Sequence, residues 1–185
     1  MKSFAEIFRS YCQFNDKGQH TGGTDRQSNH NYGGAYEQIF RDRDSVQLVM
    51  EIGNADGSGM LAFREAFQNA TIVGLDIERC ACERGPRLEF HIGDQRNKAE
   101  CERAAAGRQF DFICEDAYHS TDNTLMTLFW LWPFVKPGGV YVVEEWHNIC
   151  ADMENVRQLF PMAEIVDTPG PFGGNEPLAV FRKPK

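Results

Sequence analysis

A chain of 185 residues with 42% apolar and 25% charged side chains has globular proportions, enough for one domain and too little for two ordinary ones. The formal net charge of −8, with no cluster of Lys and Arg, argues against nucleic acid as a partner, because phosphate backbones are gripped by grouped cations. The longest apolar stretch, 125–135, is broken by Pro133 and is about half the roughly 20 residues a membrane-spanning helix needs.

Glu6 and Arg9 interrupt what would be the apolar core of a secretory signal, so no signal or membrane partner is expected. Six cysteines (Cys12, Cys80, Cys82, Cys101, Cys114 and Cys150) show no CxxC and no zinc-like spacing. Only Cys80 and Cys82 lie close together. Reduced thiols in a cytoplasmic protein are the simplest reading.

In chain order, Phe4, Ile7, Phe8 and Tyr11 recur at helical spacing, which predicts a short amphipathic helix. It is read as an exposed helix through which copies of the chain could pair into a homo-oligomer. The polar stretch 15–31 reads as a long loop, of a length that is usually functional. Residues 32–41 are helical again. Strand and helix then alternate. The predicted strands are 46–52 (VQLVMEI), 71–76 (TIVGLD), 88–92, 110–115 (FDFICE) and 140–144, the last entered through Lys136-Pro137-Gly138-Gly139. Helices are predicted at 60–68, 97–106, 121–132 and 153–160, and two last strands at 163–166 and 178–181. The aromatic run Phe129, Trp130, Trp132 and Phe134 is read as core packing.

Such alternation implies right-handed crossovers and an α/β fold: a Rossmann-like, mostly parallel seven-stranded sheet with helices on both faces. The turn-rich DTPGPFGGNEP joins the last two strands without a helix, so the last strand should run antiparallel. The whole chain, 1–185, is expected to form a single domain in which 1–42 is a helical and loop extension. His30 and Tyr32 in that extension are candidates for a lid over the site.

Ligands of open α/β sheets sit beyond the carboxyl ends of the strands, where strand order reverses. The first strand is followed by Gly53-Asn54-Ala55-Asp56-Gly57-Ser58-Gly59, whose glycines let backbone approach a ligand. Asp76 ends the second strand, roughly 20 residues on, where a carboxylate can accept from both hydroxyls of a ribose. Asp94 follows the third strand and could receive the amino group of an adenine. The loop lacks GxGxxG, which disfavours a nicotinamide or flavin oxidoreductase.

Taken in order, EIGNADGSGML, GLDI, GDQ, FDFICEDAYH and VKPGGVYVVEEW resemble the motifs of class I S-adenosylmethionine-dependent methyltransferases. With the upstream TDRQSNHNYGGAYEQIF, the run is most similar to the group of macrolide-sugar O-methyltransferases of the mycinamicin and tylosin type and the cephalosporin-hydroxylase-like proteins. The resemblance spans 24–146. It implies that Glu51 and Gly53 line the methionine part of S-adenosylmethionine, Asp76 the ribose and Asp94 the adenine. Asn54, Ile77, Gln95 and Glu115 complete the expected cofactor set, although alternation along the fourth strand leaves the directions of Asp111 and Glu115 open. Two departures stand out: Asn54-Ala55-Asp56 is more polar than the usual loop, and EDAYH replaces DDGSH.

Asp116, Glu144 and Glu145 end neighbouring strands and should converge. Gathered carboxylates need a compensating cation, and oxygen ligands suit Mg²⁺ or another divalent ion. The resembling group carries its magnesium on the corresponding acidic positions. His119, three residues past Asp116, is placed to act as general base beside it. His147 could line the acceptor pocket instead. The reading that follows is a divalent-metal-assisted O-methyltransferase for a sugar hydroxyl or another small natural-product acceptor. Its alternatives are a metal-independent methyltransferase for another small molecule and a non-catalytic cofactor-binding subunit.

Overall fold

The computed structural model describes residues 1–80, 85–169 and 176–185. Cys82 and most of the loop between the last two strands therefore lie outside the described residues. Helix α1 (Phe4–Ser10) opens the chain with a capping box in which Ser3 and Glu6 satisfy each other's amides. Strands β1 (Cys12–Phe14) and β2 (His20–Gly23) form a small antiparallel hairpin, and α2 (Gly33–Ile39) follows.

The main sheet contains β3 (Leu48–Ile52), β4 (Thr71–Asp76), β5 (Leu88–Ile92), β6 (Phe110–Glu115), β7 (Val135–Val143), β8 (Ala163–Val166) and β9 (Leu178–Arg182). Its order is β5-β4-β3-β6-β7-β9-β8. The first five of these pair in parallel, and β9 runs antiparallel to both β7 and β8, as the sequence predicts. Strand order reverses between β3 and β6, so the crevice that binds ligands in such sheets opens there. The helices α3 (Ser58–Ala66), α4 (Lys98–Ala105), α5 (Thr121–Leu131) and α6 (Ile149–Leu159) cover the two faces.

Each face has its own core. One is an aromatic cluster of Phe4, Phe8, Tyr36, Phe63, Phe67 and Phe112, and the other gathers Met50, Val73, Leu131, Tyr141 and Phe181. The apolar side of α1 is consumed in the first cluster, which corrects the expectation of an exposed helix. Trp130, Trp132 and Phe134 pack against the second core, but Phe129 is 67% exposed and does not.

The stretch expected to be loop, 15–31, holds the turn and second strand of the β1–β2 hairpin. Its turn is fixed by Asn15, whose side-chain oxygen accepts from the amides of Lys17 and Gln19, both at 3.0 Å. Strand β7 begins five residues before the predicted start. Phe110 pairs with Val135 and Phe112 with Val140, so Lys136-Pro137-Gly138-Gly139 is a bulge within the strand and not an approach to it. No helix among the described residues is long and apolar enough to cross a membrane.

Candidate active site

Beyond the carboxyl ends of β3 to β6 lies a cleft of about 430 Å³ whose walls include Gly53, Asp76, Asp94 and Asp116. Four residues far apart in sequence thus meet at one crevice. Gly53 has φ +83, and a Cβ there would sit 2.0 Å from the carbonyl oxygen of Asp116. Only glycine lets the loop after β3 touch the loop after β6. Asp76 Oδ2 accepts from the amides of Asn54 (2.6 Å) and Ala55 (3.0 Å), so the carboxylate shapes the loop it faces.

Asp94 is gripped by the Arg96 guanidinium, with Nη2 2.8 Å from Oδ2, and that pairing holds its carboxyl below the usual range. Arg96 also lies over the ring of Tyr118, 5.2 Å from its centre. Ile77 stands on the rim, 61% exposed. Gln95 is buried; its Nε2 donates to Glu115 Oε1 at 3.0 Å and its Oε1 accepts from the Tyr118 amide at 3.1 Å. Asn54, Ile77 and Gln95 join the four strand-end residues on the cleft wall, whereas Glu51 and Glu115 lie behind it, each 1% exposed.

The strand-end carboxylates separate into two groups. Glu51, Asp116 and Glu144 surround one buried cation, Arg26. The guanidinium is 2.8 Å from Glu51, 3.0 Å from Asp116 and 2.8 Å from Glu144, and Tyr36 donates its hydroxyl to Glu144. Three carboxylates exceed what one guanidinium neutralises. Burial raises the Glu51 carboxyl to about 7, and burial with the Glu144 charge pushes Asp116 well up, in both cases against the pull of Arg26. Glu144 therefore departs from its expected place as a metal ligand: it is 1% exposed, committed to Arg26 and Tyr36, and off the cleft wall.

Glu145 faces the other way. Its carboxylate lies 2.9 Å from His30 Nε2 and 3.7 Å from His119 Nε2. Both Glu145 (φ 52) and His119 (φ 55) adopt the left-handed backbone conformation, uncommon outside glycine and concentrated at functional sites. One ligand atom from each of Asp116, His119 and Glu145 falls within 4.8 Å of the others, and the Nδ1 of His119 is buried without a partner. Asp25, His30 and Glu145 form a second such trio. There, burial works against a charged ring, but hydrogen bonds to Asp25 and Glu145 carry His30 up to about 11. His30 Nε2 lies 3.2 Å from Asp25 and 2.9 Å from Glu145, so the three side chains form an ion-pair knot. His30 also stacks on Tyr32 and bonds to Glu176.

Glu145 belongs to a second cleft as well, of about 390 Å³, whose walls include His30, Tyr32, Trp146, His147 and Glu176. The two clefts meet at this residue. Sequence reasoning missed Arg26 and Asp25, both in the polar stretch before α2. The signal available was the TDR run itself, charged residues in a segment otherwise rich in Gly, Asn, Thr and His.

No protein-family model matches the chain. Among curated proteins, the 8-demethyl-8-alpha-L-rhamnosyl tetracenomycin-C 2'-O-methyltransferase of Streptomyces olivaceus is 31% identical over 132 residues, covering 66% of this chain and 35% of that protein. Demethylmacrocin O-methyltransferase of Streptomyces fradiae is 32% identical over 120 residues, covering 60% and 30%. The chain thus spans about a third of the length of the curated relatives it matches. Among solved structures, the MycE methyltransferase of the mycinamycin biosynthetic pathway, in complex with Mg, SAH and mycinamycin VI, superposes with a TM-score of 0.74 at 21% identity, covering 100% of this chain and 54% of that one. The O-methyltransferase TomG from Streptomyces achromogenes, in complex with SAM, gives 0.62 at 17% identity, covering 98% and 88%. The chain has the class I methyltransferase fold and is related in sequence to O-methyltransferases.

Proposed function

We propose that this chain is an S-adenosylmethionine-dependent O-methyltransferase acting on a hydroxyl of a sugar or similar small natural-product acceptor, with assistance from a divalent cation. One observation carries the reading: Glu145 lines both the strand-end cleft and the neighbouring one, so a donor in the first and an acceptor in the second would meet at its carboxylate. In the first cleft Asp76 and Asp94 offer carboxylates to ribose and adenine, with Gly53 and Asn54 beside the methionine end. The second is bordered by the largely buried rings of Tyr32 and Trp146 and by the polar His30, His147 and Glu176, side chains that can hydrogen-bond a hydroxylated ring.

The residues present fit a divalent ion. Asp116 and Glu145 would hold it, since two carboxylates next to an imidazole suit a hard or borderline cation. When bound, such an ion lowers the pKa of an acceptor hydroxyl. His119 takes the proton from that hydroxyl as its oxygen attacks the methyl carbon and the C–S bond breaks, leaving S-adenosylhomocysteine. The sulfonium is already a good leaving group, so alignment and deprotonation are what the protein must supply. Glu144, held by Arg26, has no part among the ligands.

Turnover with a panel of rhamnosyl and other sugar acceptors tests this reading. Glu145→Gln and His119→Ala should each lower kcat by about 100-fold or more while calorimetric affinity for S-adenosylhomocysteine stays at the wild-type value. Full activity in either variant would remove that residue from the chemistry, and activity undiminished by EDTA would remove the metal.

A further inference from the structure

The three carboxylates around Arg26 come from three strand ends: Glu51 on β3, Asp116 after β6 and Glu144 after β7. The arginine itself is delivered by the segment between β2 and α2, far from all three in sequence, and is 2% exposed. A lysine could not do the same work. The planar guanidinium sends Nε to both oxygens of Glu144 (2.9 and 2.8 Å) and Nη2 to Asp116 and Glu51, while its face lies 4.6 Å from the centre of the Phe63 ring.

The glycine loop accommodates this arrangement. A Cβ on Gly59 would lie 2.3 Å from Arg26 Nη1 and 2.3 Å from Glu51 Oε1. Gly59 is not on the cleft wall, so its missing side chain makes room for the arginine and not for a cofactor.

We propose that Arg26 is a positioning residue for the transfer site: it fixes the Asp116 carboxylate against the cleft and withdraws Glu144 from it, so that Asp116 and Glu145, and not Glu144, face an incoming cation. This rests on the metal-assisted reading above and adds the residue that sets its geometry. Without Arg26, Asp116 loses its anchor, Glu144 keeps only the Tyr36 hydroxyl and Glu51 only the Asn54 amide, and three neighbouring carboxylates left without their cation move apart. The effect reaches the cation through Asp116.

The test is a double-mutant cycle on the cofactor-free protein, with Mn²⁺ affinity read by calorimetry and by the electron paramagnetic resonance signal of the bound ion. S-adenosylhomocysteine affinity is measured in parallel as the control for folding. Arg26→Lys should weaken Mn²⁺ binding at least tenfold and leave S-adenosylhomocysteine affinity within about threefold. In an Asp116→Asn background, Arg26→Lys should cause no further loss, because its route is already cut. Should Arg26→Lys fail to fold, Gly59→Ala keeps every charge and displaces the guanidinium, and the same loss of Mn²⁺ affinity is expected. Wild-type Mn²⁺ affinity in whichever variant folds, or independent losses that simply add in the double variant, would overturn the assignment of Arg26 alone. A wild-type protein that binds no Mn²⁺ would instead bring down the metal-assisted reading and the proposal with it.

Discussion

At the scale of single residues, the site is built by carboxylates whose neighbours decide what each can do. Asp76 is the clearest case. It pins two amides of the glycine loop through Oδ2, and its Oδ1 accepts from the Glu78 amide at 2.9 Å. A carboxylate has about four acceptor positions and three are taken by these amides, so about one remains for a ribose hydroxyl. Asp76→Asn keeps the shape and removes the charge. Hydrogen bonds to a charged group contribute about 1.5–3 kcal/mol, which converts to a loss of S-adenosylhomocysteine affinity of about ten- to a hundredfold. Isothermal titration calorimetry reads this directly, and an unchanged affinity would put the ribose elsewhere. The contrast between Glu144 and Glu145 shows the same dependence on surroundings. Adjacent in sequence, one is locked to a buried guanidinium and the other opens onto two clefts.

At the scale of elements, α1 is a structural part of the fold. Phe4 is fully buried, with ring centres of Phe8, Tyr36, Phe40 and Phe67 all between 5.4 and 6.2 Å away. Phe4→Ala should cost about 3–5 kcal/mol in chemical denaturation, the range for emptying a packed aromatic site. A loss below 1 kcal/mol would mean that the helix is dispensable. The sequence was most legible where an apolar run is bounded by turn residues, and so β4, β5 and β6 begin and end where their runs do. It was least legible where backbone pairing needs no periodicity. The β1–β2 strands are short and bury no residue fully, so no buried face alternates, and the glycines before Val140 look like a loop although they lie within a strand. Arg26 was hidden for a related reason. A lone arginine in a polar stretch reads as solvated until the fold brings three carboxylates to it. Likewise, two adjacent glutamates after a strand do not show which one meets the cleft, because that is set by the left-handed backbone at Glu145 (φ 52) and not by strand alternation.

At the scale of the whole molecule, the first 42 residues are fastened to the sheet layer by polar ties as well as by the aromatic core. Gly23 donates its amide to Asp56 in the glycine loop at 3.0 Å. At the opposite edge Glu65 on α3 accepts from Lys2 Nζ at 2.8 Å and from the Tyr11 hydroxyl at 3.0 Å. These hydrogen bonds, the one from Lys2 foremost, hold the Glu65 carboxyl below its ordinary value of 4.5. A carboxyl whose folded pKa is depressed contributes stability that is present above the unfolded value. That contribution is lost as pH falls through the folded one. Acidification from neutrality should therefore loosen this edge once the pH drops below about 4.5. Lys2 is well exposed and the pair is solvent-screened, so the share of any one tie is small. The prediction is accordingly a difference between two proteins. Thermal midpoints of wild type and Glu65→Gln should be separated by a small, constant gap near neutral pH and should converge on acidification, because the wild-type carboxyl then becomes as neutral as the amide. Melting curves followed by circular dichroism at a series of pH values would show the convergence. A gap that persists to the lowest pH would mean that Glu65 acts through packing and not through its charge.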